Sequence, residues 1–137
     1  SAGFWLGETV VTQALWLAVM GGANPARFQD GPKHPVECVS WHDVCDRFLP
    51  ALERAVPGLA VRLPSEAEWE YASREAGRSA GPFSFGDDIS ADEANFDGRA
   101  PYRGGPQQQY RGRTVPVDTF APNAVGLREM HGGVCEW

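Results

Sequence analysis

The sequence predicts one loop-rich domain over residues 1–137, with two or three short helices and a few short strands. Its 137 residues include 16 glycines and 11 prolines, about a fifth of the chain, which is typical of loops. Apolar residues recur at helical spacing in short stretches that follow a Ser or Thr able to cap a helix. A chain of this length can bury a real core, so a single domain is expected.

The first elements are predicted in order along the chain. Residues 4–11 have the pattern of a short β-like run, after which Thr12 caps a helix over residues 13–20 that ends at a Gly pair. Ser40 caps a second helix, in which Pro50 is expected to produce a kink. An apolar stripe of this second helix is expected to face the core, and it consists of Trp41, Val44, Cys45, Phe48 and Leu52.

The third helix has the clearest start signal. Ser65 and Glu68 form the pattern of a capping box, and the helix is expected to run to about Arg74. Residues 77–113 are rich in Gly, Pro and Gln and are expected to be irregular. Such a long loop is unusual in a compact domain unless something such as a bound ion organises it. Residues 115–120 have the pattern of a strand.

The charge balance excludes some partners and favours one compartment. The formal net charge is −6 and the pI is near 5.0, whereas a nucleic-acid surface needs a basic face. No stretch reaches the length of a membrane span, and the first residues lack the basic and apolar regions of a signal peptide. We therefore expect no nucleic-acid partner, no membrane insertion and a cytoplasmic location.

The cysteines and histidines do not form a catalytic constellation. Cys38, Cys45 and Cys135 are odd in number and lack zinc spacing, so buried free thiols in a reducing compartment are expected. His131 and Cys135 stand four residues apart and could form a thiolate–imidazole pair, but the charge of the adjacent Glu136 opposes thiolate formation. No catalytic residue is therefore assigned within this chain.

The last residues have the donor types of a site for a hard cation. Two carboxylates stand on a Gly-rich turn, where glycines let backbone carbonyls converge. Calcium prefers six to eight oxygen ligands of these types. The candidate ligands are Glu129, Gly132, Val134 and Glu136. The simpler alternative, which composition alone favours, is that the two glutamates are exposed charges beside a buried turn.

Four segments, taken in chain order, resemble the formylglycine-generating enzyme (sulfatase-modifying factor) family. The third is the most specific because R-L-P-[ST]-E-A-E-W-E is close to a family signature. The segments are ETVVTQALWLAVMG (residues 8–21), PVECVSWHD (35–43), RLPSEAEWEYAS (62–73) and TVPVDTFAPNAVGLREMHGGVCEW (114–137). The resemblance covers nearly the whole chain, and it implies an α+β, C-type-lectin-like fold with long loops and few regular elements.

The resemblance also implies two structural calcium sites. One would use the side chains of Glu129 and Glu136 and the carbonyls of Gly132 and Val134. The family usually has Asn or Asp at position 129. The other site would use the Asn95 side chain with the carbonyls of Phe96 and Tyr110, without a clear counterpart of the family's acidic ligand.

Two functions follow from the resemblance. The family enzyme uses oxygen and a copper-bound cysteine pair to oxidise a substrate cysteine to formylglycine. That pair lies downstream of the E-W element, and Cys38, Cys45 and Cys135 match neither position, so copper is expected only if a downstream cysteine pair exists. The alternative is a ligand- or protein-binding C-type-lectin-like module, such as a retroelement-diversified variable protein.

The resemblance further suggests that this chain has a partner. Relative to the family, segments at both ends are missing, and their loss would expose apolar surface and unpaired strand edges. We expect a companion segment or polypeptide to complete the domain, and a protein or peptide is a second expected ligand. Without a companion, the 137 residues are expected to be marginally stable or to oligomerise.

Overall fold

Three short helices are joined by long irregular segments in the computed structural model, which describes residues 3–137. The helices are α1 (Gln13–Met20), α2 (Leu49–Ala55, directly preceded by a π-helical segment, Asp43–Phe48) and α3 (Glu66–Ser73). Single 3₁₀ turns lie at Glu75–Gly77 and Tyr102–Gly104. Ser1 and Ala2, the first residues of the predicted domain, lie outside the described part. Within residues 3–137, no helix has the length and apolar character needed to cross a bilayer.

The caps predicted for the first and third helices are confirmed. Thr12 accepts a hydrogen bond from the backbone N–H of Leu15 and starts α1. Ser65 Oγ accepts from the Glu68 N–H, while the Glu68 carboxylate accepts from the Ser65 N–H at 2.8 Å. This reciprocal pair satisfies two of the N–H groups that a helix start leaves open. The beginning of α3 is therefore fixed by local sequence.

The second helix continues through Pro50 instead of kinking sharply there. The preceding turns are π-helical, and the N–H of Leu49 donates to the carbonyl of Val44. Proline cannot donate and its ring crowds the preceding turn, so widening that turn accommodates it. The wider turn shifts the helix register, which leaves Trp41 46% exposed although Phe48 is 2% exposed. The predicted apolar stripe therefore faces the core only in part.

The two predicted strands are wrong. In residues 4–11 and 115–120 the backbone makes isolated hydrogen bonds, such as Arg128 N–H to Glu8 O at 2.9 Å. Pro116 has no N–H, and its carbonyl accepts from the Thr119 N–H to close a turn. The strand-like contacts in the described chain are four isolated bridges, namely Thr12–Pro35, Phe83–Gly86, Asn95–Gly132 and Asp97–Tyr110.

The core is divided between two groups of side chains. Trp16 of α1 stacks on Phe48, with ring centroids 4.9 Å apart. A second cluster holds the end of the chain, because Leu127 and Met130 pack on Ala72 of α3. These two residues flank Glu129 on either side and anchor the turn that carries it. The second cluster therefore determines where the candidate cation ligands lie.

Candidate metal centre

The turn after Leu127 has an unusual backbone. Glu129 adopts a left-handed conformation with φ 54°, and Gly132 and Gly133 have φ 80° and 74°. Such values are uncommon for residues with a side chain and are routine for glycine. Three residues with positive φ therefore bend this segment tightly.

A close backbone approach joins this turn to the loop that carries Asn95. A Cβ placed on Gly132 would lie 2.5 Å from the backbone oxygen of Asn95, closer than any side chain tolerates. The same oxygen accepts a hydrogen bond from the Gly133 N–H at 2.8 Å. Glycine is therefore required at position 132. The two sets of candidate ligands, predicted from distant parts of the chain, meet at this contact.

The carboxylate of Glu129 is the least satisfied polar group of this region. Its Oε1 atom is buried and has no hydrogen-bond partner, and its Oε2 lies 3.8 Å from a Cβ placed on Gly133. Burial raises the pKa of Glu129 to about 7, and the negative charges of Glu136 and Asp118 contribute further. A buried acceptor without a donor costs free energy, so binding of a cation or a proton to this carboxylate would be favourable.

Glu136 is held in place by an indole from α3. The Nε1–H of Trp69 donates to Glu136 Oε2 at 3.1 Å. Desolvation by the surrounding protein raises the pKa of Glu136, whereas the hydrogen bond from the Trp69 indole acts to lower it. No sequence pattern connects positions that are 67 residues apart, so this contact could not be predicted.

The second candidate set is only partly available for a ligand. Asn95 is 9% exposed, and its side-chain amide N–H donates to the Arg113 carbonyl at 2.9 Å. The carbonyl of Phe96 accepts from the Gly98 N–H at 3.0 Å. An isolated antiparallel bridge between Asp97 and Tyr110 places Tyr110, the third candidate ligand, beside the loop that carries Asn95 and Phe96. The three residues lie in one pair of adjacent loops, with part of their hydrogen-bonding capacity used internally.

The donor set of the terminal turn fits a hard cation. It offers two carboxylates with raised pKa values, one buried oxygen without a donor, and backbone carbonyls on a glycine turn. Among residues 3–137, no cluster of three or more His, Cys, Asp or Glu side chains could hold a metal. Any cation here would therefore combine two side chains with backbone oxygens, which suits calcium better than a softer metal.

His131 has a structural role. Its Nε2 accepts a hydrogen bond from the Ser84 N–H at 3.0 Å, and its ring packs edge-on against Phe83 and Phe85. Burial lowers the pKa of His131, which favours the neutral ring that this hydrogen bond needs. Because Nε2 is occupied, the thiolate–imidazole pair with Cys135 considered above gains no support.

The cysteines are free, but the expectation that they are buried is wrong. Cys38 and Cys135 are exposed and Cys45 is partly buried. Cys38 lies in a loop at φ 60°, and its thiol donates to Glu37 Oε2 at 2.7 Å. That hydrogen bond raises the pKa of the Cys38 thiol. Both exposed cysteines lie on irregular segments, outside the helix that carries Cys45.

Two clefts adjoin the terminal turn. The smaller has a volume of about 610 Å³ and lies between the start of α3 and residues 130–137. The larger, of about 940 Å³, extends from the same segment toward the π-helical turn and the loop at Glu37. Trp137 lines both, and its indole N–H donates to the Val39 carbonyl at 3.2 Å.

Comparison with known proteins agrees with the sequence pattern. The family model described as "Sulfatase-modifying factor enzyme 1-like domain" matches residues 1–137. The formylglycine-generating enzyme of Thermomonospora curvata is 33% identical over 95% of this chain and 43% of its own length. The mouse (Mus musculus) enzyme of the same name is 33% identical over 93% of this chain and 34% of its own. The chain thus spans less than half the length of these two relatives.

A solved structure supports the fold. Treponema denticola variable protein 1, which has a C-type-lectin-like fold, superposes with a TM-score of 0.68 and 26% identity. The match covers 96% of this chain and 60% of that protein. The long loops and few regular elements agree with the resemblance, and within residues 3–137 the β part of the expected α+β fold consists of isolated bridges. From the family match over its whole length, we conclude that the chain belongs to the sulfatase-modifying factor family and is a formylglycine-generating-enzyme-like domain.

Proposed function

We propose that these residues form a calcium-supported scaffold within a formylglycine-generating-enzyme-like protein. The observation that carries the proposal is the buried Oε1 of Glu129, which lacks a donor beside a second carboxylate. The residues that would hold the ion are Glu129, Gly132, Val134 and Glu136. Bound there, calcium would supply positive charge that offsets two crowded carboxylates.

The chain itself prepares this site. Leu127 and Met130 fix the turn on α3, and Gly132 allows it to approach the Asn95 backbone. Trp69 orients the Glu136 carboxylate through its indole N–H. Glu129 keeps one oxygen free of protein donors. These contacts preorganise the donors, which lowers the free-energy cost of binding an ion.

We propose a second, weaker cation position at Asn95, Phe96 and Tyr110. The contact between Asn95 and the Gly132–Gly133 turn supports it, because order in one loop favours order in the other. A cation would bind the Asn95 Oδ1, while the amide N–H keeps its hydrogen bond to the Arg113 carbonyl. Because this position includes no carboxylate among its ligands, its affinity is expected to be lower than at the terminal turn.

The activity of the whole protein is also a proposal. Oxidation of a substrate cysteine to formylglycine is favoured because both relatives described above are named formylglycine-generating enzyme. None of the three cysteines described here is assigned to that chemistry, and copper would need a cysteine pair elsewhere in the protein. Free thiols at Cys38, Cys45 and Cys135 favour a reducing compartment, and we propose the cytoplasm.

An assay separates the scaffold role from a complete enzyme. A cysteine-containing sulfatase-type peptide is incubated with this chain, copper and oxygen, and the aldehyde product is measured by mass spectrometry. We expect no product from these 137 residues alone. Aldehyde formation above that of a denatured control would show that redox chemistry resides in this segment and would refute the scaffold role.

A ligand-binding module is the second candidate function. It is favoured by the superposition on a variable protein at TM-score 0.68, together with the open 940 Å³ cleft. The two candidates differ in the residues that they need. A downstream cysteine pair in the full-length protein would favour the oxidase, whereas an aromatic-rich downstream segment without cysteines would favour the binding module.

Calcium binding is tested by isothermal titration calorimetry on the EDTA-treated chain. We expect the terminal turn to bind with a Kd below about 1 mM, the range of the weakest protein calcium sites, and the second position to bind more weakly than that. Glu129→Gln should abolish that heat, since it removes the charge at the unpartnered oxygen. Glu66→Gln is the matched control, because Glu66 is exposed at the start of α3 and borders the neighbouring cleft. Equal binding by both variants would contradict the assigned ligand.

A further inference from the structure

Arg111 has a buried nitrogen without a hydrogen-bond partner. Besides the Oε1 of Glu129, its Nη1 is the one buried side-chain nitrogen or oxygen within residues 3–137 that lacks a partner. Its Nη2 donates to the carbonyl of Ala91 at 2.8 Å, and its guanidinium carbon lies 5.4 Å from the centre of the Phe120 ring. Ala91 and Phe120 are both buried. The guanidinium therefore reaches into the protein interior, where its neighbours include a carbonyl and an aromatic face.

The charge of Arg111 is not paired with a carboxylate of the described chain. Two other arginines of the same loop are paired, because Arg99 contacts Asp97 at 2.8 Å and Arg113 contacts Asp30 at 3.5 Å. An arginine side chain cannot be neutralised by losing a proton at ordinary pH. A buried guanidinium charge therefore has to be offset by dipoles or by an anion.

The neighbouring dipoles offset only part of this charge. A carbonyl and an aromatic face carry partial negative charge, whereas the guanidinium of Arg111 carries a full positive charge. Nη1 has two N–H donors, and neither finds an acceptor in the described part of the chain. A buried donor that is charged costs more free energy when it lacks an acceptor than a neutral donor does. A negatively charged acceptor beside Nη1 would remove this cost.

The surroundings of Arg111 are held in place by side-chain hydrogen bonds. Gln108 Oε1 accepts from the Ala91 N–H at 2.7 Å, and Gln108 Nε2 donates to the Ile89 carbonyl at 3.2 Å. These bonds fix residues 89–91 against the segment that carries Arg111. The Ala91 carbonyl in turn orients the guanidinium. An anion would therefore meet a donor that is already oriented, which lowers the free-energy cost of binding.

We infer that Arg111 is the centre of a binding site for a small inorganic anion, with chloride as the occupant. Arg111 lines neither of the two clefts, so a monatomic ion fits beside Nη1 more readily than a phosphate or an organic acid. A water molecule could accept from the same N–H groups, but it would leave the charge uncompensated. The inference goes beyond the calcium scaffold and does not depend on it.

Chloride NMR tests the site on the EDTA-treated 137-residue chain. Chloride bound to a protein relaxes fast, so a binding protein broadens the ³⁵Cl line of the solution. We expect broadening by wild type that added bromide competes away. The Tm should also rise when sodium chloride replaces sodium methanesulfonate at equal ionic strength, because an ion that binds only the folded chain stabilises it.

Matched variants locate the ion. The tripeptide Tyr-Arg-Gly occurs twice, at residues 102–104 and 110–112, and its glycine has a positive φ in both copies. Arg103, in the first copy, is exposed, so Arg103→Gln is the control for Arg111→Gln. We expect Arg111→Gln to weaken chloride binding about tenfold or more, since a charged donor is lost, and Arg103→Gln to leave it unchanged.

Crystals of wild type grown in sodium bromide provide a test that needs no variant. The anomalous signal of bromide should give a peak within hydrogen-bond distance of Arg111 Nη1. A map without this peak, including one with a water molecule at that position, would overturn the inference. So would equal ³⁵Cl broadening by wild type and folded Arg111→Gln, or no broadening by wild type. If Arg111→Gln does not fold, as judged by circular dichroism, the bromide map decides.

Discussion

Two glutamates in this chain show opposite electrostatic environments. Glu68, at the start of α3, accepts from the Arg62 guanidinium and from the Ser65 N–H, and these donors lower its pKa to about 2. Glu129, in the terminal turn, has a buried oxygen without a donor, and burial raises its pKa to about 7. The two sites belong to the same chain and differ in how completely the protein satisfies the charge.

The comparison separates structural from functional use of a carboxylate. A glutamate that completes a helix cap is neutralised by donors from its own neighbourhood and needs no ligand. A glutamate that is held by packing, in a strained left-handed backbone, keeps a free-energy cost that a cation can remove. We therefore expect changes at the terminal turn to alter ligand binding, and changes at the cap to alter stability alone.

The largest effect is expected from Gly132→Ala. The new Cβ would meet the Asn95 backbone oxygen at 2.5 Å and would also occupy a positive φ of 80°. The combined strain should lower the free energy of unfolding by about 3 kcal/mol. Calcium binding should be lost as well, because the turn can no longer approach the Asn95 backbone. Urea unfolding measures the first effect and calorimetry the second.

Gly126→Ala is the control for that substitution. Gly126 has a similar φ of 86°, and a Cβ there meets nothing within 4 Å. Gly126→Ala should lower the free energy of unfolding by about 1 kcal/mol, because only the positive φ is unfavourable for alanine. The variant should still bind calcium. If both substitutions cost the same, the contact with Asn95 does not fix the turn.

Glu129→Gln is expected to stabilise the chain in EDTA at high pH. The folded pKa of Glu129 lies above its unfolded value, so this group makes the fold less stable as pH rises from about 4.5 through about 7. At pH 8 the neutral variant should gain roughly 1 kcal/mol, a figure reduced for partial solvent screening. At pH 4 the gain should vanish.

Urea unfolding in EDTA at the two pH values measures this difference. Adding calcium should reverse the order at pH 8, because wild type then gains binding free energy that the variant lacks. A variant that is less stable than wild type in EDTA at both pH values would mean that the carboxylate is satisfied within the protein.

The smallest effect is expected from Glu68→Gln, and it concerns the stability of α3 at low pH. Its folded pKa is lowered, so the contribution of this carboxylate is present above about pH 4.5 and is lost as pH falls toward 2. Helical circular dichroism should decrease over this range in wild type and less in Glu68→Gln. Calcium binding at neutral pH should not change in that variant. A loss of calcium binding would show that the cap and the turn are coupled.

Local elements could be predicted from the sequence where a few adjacent residues decide the structure. The Ser65–Glu68 box and the Thr12 cap depend on neighbours within three positions, and both are present. The strands at residues 4–11 and 115–120 failed because pairing depends on distant partners, and Pro116 instead closes a turn. Apolar alternation alone carries no information about such partners.

The candidate site could be predicted in its composition and not in its contacts. Glu129, Gly132 and Glu136 were identified from donor chemistry and family resemblance. The indole of Trp69 and the backbone of Asn95 complete their surroundings from 67 and more than 30 positions away. Long-range contacts of this kind follow from how the loops fold over α3, which no local pattern specifies.

Terbium luminescence tests the central claim most directly. Terbium binds to calcium sites through oxygen ligands and emits when a nearby tryptophan is excited. Trp69 donates to Glu136, so it lies close enough to the proposed ion to transfer energy. The account predicts emission that calcium competes away, that Glu129→Gln abolishes and that Glu66→Gln preserves. Emission of equal strength in Glu129→Gln, or none in wild type, would contradict it.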